Sequence, residues 1–439
     1  MRFPIAIVVG LALLGCAERA PAQVQAAAAA DTLVVSSDPE LRALASSLLP
    51  DLAVRSGLEL RGPVRLERRS RAELETFLVE KLAEEVPVER ADRLAEAYAL
   101  LGLVPEGFDL RATLLAVYTE QVAGFYDPVT TTLYVLDDQP QSALEALLVH
   151  ELVHAIQDQW VDLDSITAFE LGNDRRSAAQ AAIEGHATLV MLEHTMNQMG
   201  STEIDVVEMP MFAGQLRPAL EGVRDQYPAL GSAPRIIQES LLLPYLAGAA
   251  FVQAAWAARG SRVPLAEIMP ASTEQVSLPT RFTSNPPDAP TEVRLTLSGS
   301  GAGSAEVLME DVLGFAETRV LLEELGASAS GADGWDGDRW ALVEQTATGS
   351  GTGTGVASGM STRGVVWVTV FDSEAGRDRF VEMLRPRLSD LPARATLAAM
   401  AVDGRPVAML RVGVQPEVEV ALEGGRENGS AGRREGGEG

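Results

Sequence analysis

"LLVHELVHAIQDQW" (147–160) places two histidines, a glutamate between them and a run of aliphatic side chains within fourteen positions. Just upstream, Ser142 and Glu145 have capping-box spacing, so the sequence predicts a helix beginning near Ala143. At about 100° per residue, His154 lies about 40° round from His150 and Glu151 about 100°, so the three share one sector. Val149, Leu152, Val153 and Ile156 take the opposite sector and can seat the helix in a core. Two imidazoles one turn apart can reach a single zinc ion at about 2.0–2.1 Å, with a glutamate beside them to hold the water that zinc polarises. The competing reading is a core helix with two hydrogen-bonded histidines.

A catalytic zinc needs a third protein ligand and an open position. The long motif that adds a glycine three residues and a histidine six residues past His154 is excluded, because Gln157 and Trp160 stand there. A second helix, "RRSAAQAAIEGHATLVMLEH" (175–194), offers Glu184 and His186 instead. Two residues apart on a helix, they point about 200° away from each other, so they cannot both face one ion. The small-residue face around Glu184 (Ser177, Ala181, Thr188) favours it without removing His186. His194, near the helix end, reads as a surface residue. Asp158 shares the sector of Glu151 and His154 and, with Thr188, is a candidate to orient a ligand. Tyr245 in "LLLPYLAG" and Tyr126 in "GFYDP" are candidate donors to a developing oxyanion.

The rest of the chain frames this centre. Sixty-two acidic against 35 basic residues give a net charge of −27, which repels phosphate backbones and excludes nucleic acid as an expected partner. "MRFPIAIVVGLALLGC" (1–16) has one Arg, an apolar run too short to span a bilayer, and the only cysteine of the chain. Its ending resembles a lipobox, which implies cleavage before Cys16, acylation of that thiol and an extracytoplasmic, membrane-anchored protein, on the outer membrane in a diderm bacterium. Residues 17–37 read as a tether. "DPELRALASSLLP" (38–50) reads as a helix stopped by Pro50, and Ser70 with Glu73 as a capping box. "GFYDPVTTTLYVLD" (124–137) reads as a hairpin turning at Asp127-Pro128. "TSNPPDAPTEV" (283–293) reads as a boundary. The fold class expected is α+β: a mostly helical domain with a small sheet and an edge hairpin (38–285), then a smaller α+β domain (291–421) and a disordered tail (422–439). "GWDGDRW" (334–340) lacks EF-loop spacing and reads as a turn.

Three segments, "EQVAGFYDPVTTTLYVLD", "HELVHAIQDQW" and "AAIEGHATLVM", stand in an order and spacing that resemble poorly characterised bacterial HExxH proteins of the zincin type, in the gluzincin branch. "LPYLAGAAFV" (243–252) and "PASTEQVSLP" (270–279) resemble later segments of such proteins. The resemblance implies one zinc per chain on His150, His154 and Glu184, Glu151 as catalytic base, and a peptide or protein substrate laid along a strand of the 124–137 hairpin. Thr188 stands where gluzincins often place an aspartate that orients a ligand histidine, and His186 where an acidic residue is expected. The rival reading is an inactive zincin-fold surface lipoprotein serving as a binding or cell-envelope assembly module. Such proteins commonly lose the glutamate, which is intact here as Glu151.

Overall fold

The computed structural model describes residues 33–200, 204–209, 227–298, 304–346 and 361–424. Cys16 and its apolar leader lie outside the described residues. The architecture is α+β with several small sheets.

The N-terminal half is built around a four-stranded sheet in the order β1-β2-β4-β3, comprising β1 (Val34–Val35), β2 (Val64–Arg69), β3 (Gly124–Asp127) and β4 (Thr132–Leu136). β1 and β2 run parallel, as do β2 and β4, whereas β3 is an antiparallel edge strand. The expected tether therefore ends early, since Val34 and Val35 already pair with the sheet. Alternation along the strands divides two cores. Phe125, Tyr134 and Leu136 face α2 (Arg71–Glu85), α3 (Val88–Leu100) and α4 (Leu110–Gln121). Tyr126, Leu133 and Val135 face α1 (Pro39–Ser56) and α5 (Gln141–Asp158).

The Ser70/Glu73 capping box opens α2 as its spacing predicts. The Ser142/Glu145 box does not form: α5 starts two residues earlier, after Pro140, whose carbonyl accepts from the Ala143 amide at 2.9 Å. Nor does Pro50 stop α1. Proline removes one backbone bond, but Leu48, Leu49 and Leu52 are all buried, and packing carries the helix on to Ser56 and a left-handed cap at Gly57. That extra turn delivers the Ser56 carbonyl to the His186 ring.

Beyond α6 (Leu163–Ile166), the long helix α7 (Asn173–Met199) crosses α5. After α8 (Pro228–Ser232), α9 (Arg235–Arg259) lies against α7. By length and composition α9 could cross a membrane, yet thirteen of its residues are buried in the core. Gly185 and Gly248 form the crossing point. A Cβ on Gly185 would collide with the Gly248 carbonyl, and one on Gly248 with the Ala181 carbonyl. Backbone-to-backbone contact at this point sets Glu184 of α7 beside Tyr245 of α9.

The C-terminal half has a five-stranded antiparallel sheet, β6-β7-β8-β10-β9, formed by β6 (Ser304–Asp311), β7 (Trp335–Thr346), β8 (Ser361–Phe371), β9 (Ala395–Val402) and β10 (Arg405–Val412). A ribbon of β5 (Thr291–Ser298) and β11 (Glu417–Gly424) covers one face. The expected tail thus begins inside a strand, and residues from 425 onward lie outside those described. "GWDGDRW" is not a turn: it is largely the start of β7, bent by a bulge between Trp335 and Gly337. Its Asp338 is buried and accepts from the Leu313 and Gly314 amides and the Trp335 and Trp367 indoles at 2.8–3.1 Å, anchoring the start of the helix Gly314–Glu324.

Its other face, with Trp340, Leu342 and Trp367, belongs to the same apolar cluster as Leu74, Leu114 and Ile236 of the N-terminal half. Polar bonds stitch the seam. Glu317 accepts from the Tyr98 hydroxyl (2.7 Å) and the Asn173 amide group (2.8 Å), and Asp311 from the Asn173 backbone (2.8 Å). The Pro-rich stretch at 283–293 therefore joins two halves that share a core.

Candidate metal centre

α5 is buried almost all round, from Leu147 to Gln157 without a break, which marks a central helix rather than an amphipathic surface one. His150, Glu151, His154 and Glu184 are only 1, 0, 2 and 3 % exposed. Three donor atoms converge. His150 Nε2 and His154 Nε2 are 3.0 Å apart, and Glu184 Oε2 lies 3.2 Å from the first and 3.4 Å from the second. Donors at about 2.0–2.1 Å from a tetrahedral zinc stand roughly 3.3 Å from each other, so the three atoms have the spacing of one face of such a site. His150, His154 and Glu184 are one of two groups among the described residues whose ligand atoms could all reach one ion.

Which ring nitrogens carry hydrogen follows from two backbone carbonyls, which can only accept. His186 Nε2 lies 3.0 Å from the Ser56 carbonyl and must donate to it, leaving Nδ1 as an acceptor. The Gln157 amide nitrogen donates to the Ile183 carbonyl (3.0 Å), which fixes that side chain's orientation, and also to His186 Nδ1 (2.9 Å). Gln157 Oε1 then accepts from His154 Nδ1 at 2.8 Å. A neutral His154 with its hydrogen on Nδ1 presents its Nε2 lone pair to the point where the donors meet. Burial holds the His186 imidazole down to about 4, so this ring is neutral and can play both parts.

The charges fit the same picture. Burial works against ionising Glu184, but the imidazoles of His154 and His150 outweigh it and hold the carboxyl down to about 2. Burial also opposes a charge on His154; Glu184 overcomes it and lifts that ring to about 9 in the protein without metal. For Glu151, burial dominates and pushes the carboxyl up to about 8, with His154 pulling the other way. Beside the pull of the Tyr126 backbone amide, neither Glu151 oxygen has a donor at full hydrogen-bond geometry among the described residues, so this buried carboxyl is under-satisfied next to three metal-type donors. Such groups are costly unless a ligand or cation completes them.

Tyr245 stands in the centre, its ring 6.2 Å from that of His150 and its hydroxyl bonded to Glu184. Tyr126 reaches it through its backbone amide, beside Glu151; its hydroxyl donates to Asp158 at 2.8 Å, which removes it as a free oxyanion donor. Asp158 is spent on that bond and on the Leu163 amide (3.2 Å), so it orients no ligand histidine. Thr188 is buried, but its hydroxyl has no partner among the described residues and orients no ligand either. His194 is buried rather than on the surface, with Nδ1 2.9 Å from Asp51. The residues that do support a ligand, Gln157 and His186, had a legible signal: Gln157 lies three positions after His154, on the same helical face.

A domain family of unknown function, DUF8575, matches residues 305–420, the C-terminal sheet and its helices. No curated protein and no solved structure matches the chain.

Proposed function

We propose that the protein is a zinc-dependent peptide hydrolase of the zincin type, gluzincin-like, with His150, His154 and Glu184 as ligands and Glu151 as proton carrier. We place it outside the cytoplasm, held to a bacterial membrane by lipid on Cys16. The observation that carries the reading is the meeting of three donor atoms at 3.0–3.4 Å, with the His154 lone pair aimed there by a relay that ends on the Ser56 carbonyl. A zinc ion held by these residues would supply Lewis acidity, polarising a carbonyl and lowering the pKa of water.

The chain's own groups would do the rest. Glu151 takes a proton from the attacking water onto a carboxylate oxygen and hands it to the leaving amine nitrogen, so the carboxylate is regenerated at each turnover. Its carboxyl, pushed up to about 8 by burial, is drawn down by a neighbouring cation and so is set near the working range for both halves of that transfer. The Tyr245 hydroxyl, which donates to Glu184 in the protein without metal, would turn from that carboxylate to the oxyanion that develops on the carbonyl oxygen. Glu184, engaged by both imidazoles, stays ionised throughout.

The test compares wild type with Glu151→Gln after zinc loading. Both should hold one zinc per chain, and the variant should hydrolyse peptides about 10²–10⁴-fold more slowly. Equal activity would remove Glu151 from its role. A zinc-loaded wild type without hydrolytic activity would favour the binding-module alternative.

A further inference from the structure

The C-terminal sheet ends on two edge strands, and they are unlike. β6 carries Glu306, Glu310 and Asp311 and is bent by a bulge between Val307 and Met309, features that keep an edge from pairing with another chain. β9, "ATLAAMAV" (395–402), has no charge, no proline and no bulge. The ribbon of β5 and β11 carries Glu292, Arg294, Glu417, Glu419 and Glu423. Among the described residues, β9 is the one long strand edge without a charged side chain.

Its backbone groups alternate in direction. The Gly413 amide donates to the Arg394 carbonyl at 2.9 Å, continuing the register in which Val412 faces Ala395. Even-numbered residues of β9 therefore turn their amides and carbonyls to β10, and Ala395, Leu397, Ala399 and Ala401 turn theirs outward. Among the described residues no hydrogen bond engages those outward groups. Arg377 does reach the Met400 carbonyl, at 3.1 Å, but that carbonyl is an inward one. Ala399 and Ala401 are exposed, so another strand can approach closely.

We propose that β9 is the contact strand of a homodimer, pairing antiparallel with β9 of a second copy and joining the two five-stranded sheets edge to edge. The proposal does not depend on the hydrolase reading. Residues opposed across an antiparallel pair must both point in or both point out, so the two-fold axis passes through Ala398 or Ala399. Either register sets Leu397 opposite Ala399 or Ala401, and Thr396 opposite Met400 or Val402, with no like charges opposed. Charge at the strand ends favours a second copy over another partner. Arg394 precedes β9 and Asp403 follows it in the turn to β10; both are exposed, and neither forms an ion pair among the described residues. The two-fold brings Arg394 of each copy within one residue of Asp403 of the other, giving two pairs of opposite charge. In a chain of net charge −27, two copies repel over most of their surface, and an uncharged strand closed by such pairs is where they can meet.

The chain from residue 17 onward keeps every described residue and has no cysteine. In sedimentation equilibrium at micromolar concentration it should run at twice the chain mass. Ala399→Pro removes an outward amide and no ladder bond, so it should weaken the dimer about tenfold or more with little change in Tm. Ala399→Lys, which puts a charge on the contact, should do the same. Arg394→Glu should weaken it severalfold. Under oxidation, Ala398→Cys or Ala399→Cys, whichever lies nearer the axis, should give a covalent dimer much faster than Val54→Cys on exposed α1. A dimer that both Ala399 substitutions leave intact, or cross-linking no faster than at Val54→Cys, overturns the proposal. So does a monomer, and a monomer that dimerises only on removal of residues 425–439 would assign the edge to that tail.

Discussion

α7 buries one carboxylate at its N-terminal end and another near its middle, and the two acids behave in opposite ways. At the N-terminal end, Asp174 meets the C-terminal half, accepts from the amide of Thr273 at 3.1 Å and from its hydroxyl, and is pushed up to about 7 by burial. Nearly three turns on, Glu184 is as deeply buried and yet is held at about 2, because two imidazoles face it. Burial favours the neutral carboxyl, and an opposite charge or hydrogen bonds to the anion are needed to keep it ionised; at Glu184 the His154 imidazole is the largest such contribution. The N-terminal end is therefore a hydrogen-bonded seam, and the middle carries a charge arranged for a cation.

That contrast can be broken by substitution. Glu184→Gln should reduce zinc from one per chain to near none, read by metal analysis after dialysis against a weak chelator; full zinc content in this variant would remove Glu184 from the site. Gln157→Leu should be next in size. It cuts the relay between His154 and His186, and loss of such a partner costs about 10–100-fold in metal affinity. Competition with a chromophoric chelator measures it, and an unchanged affinity would show that the tautomer of His154 is set elsewhere.

Stability against pH gives the smallest and most diagnostic effect. Asp174 and Glu317 are both raised to about 7 by burial. The folded chain keeps protons that the unfolded chain releases near pH 4, so their contribution is full below that and is lost as pH rises through about 7. Glu184 has the opposite sign: its depressed pKa adds stability that is complete above about pH 4.5 and is lost as pH falls through about 2. In zinc-free protein, Asp174→Asn should flatten the decline in Tm between pH 4 and 7, and Glu184→Gln should not. Calorimetry across that range separates the two positions on the helix.

The sequence was most readable where a function demands residue types at fixed spacing. His150, Glu151 and His154 lie on one helix, so helical geometry alone places them together. The α+β class and the 124–137 hairpin were legible from alternation and turn residues. The choice of Glu184 over His186 depends on how α7 and α9 cross at Gly185 and Gly248, a long-range contact that periodicity cannot show. For the same reason the support of His154 was misassigned. Asp158 and Thr188 had plausible spacing, but Tyr126 claims the first and nothing described reaches the second. The relay needs Ser56, which arrives only because α1 continues past Pro50 under the pull of buried leucines. The shared core between the halves was also hidden, since a Pro-rich boundary marks a turn in the chain and not a gap in packing.

X-ray absorption at the zinc K-edge, on wild-type chain loaded with one equivalent, is the most direct test. The account predicts a first shell of two imidazole nitrogens and oxygen at about 2.0–2.1 Å, with no sulfur, and loss of one imidazole's outer-shell scattering in His154→Ala. A spectrum with fewer than two imidazoles, or one that His154→Ala leaves unchanged, would contradict it.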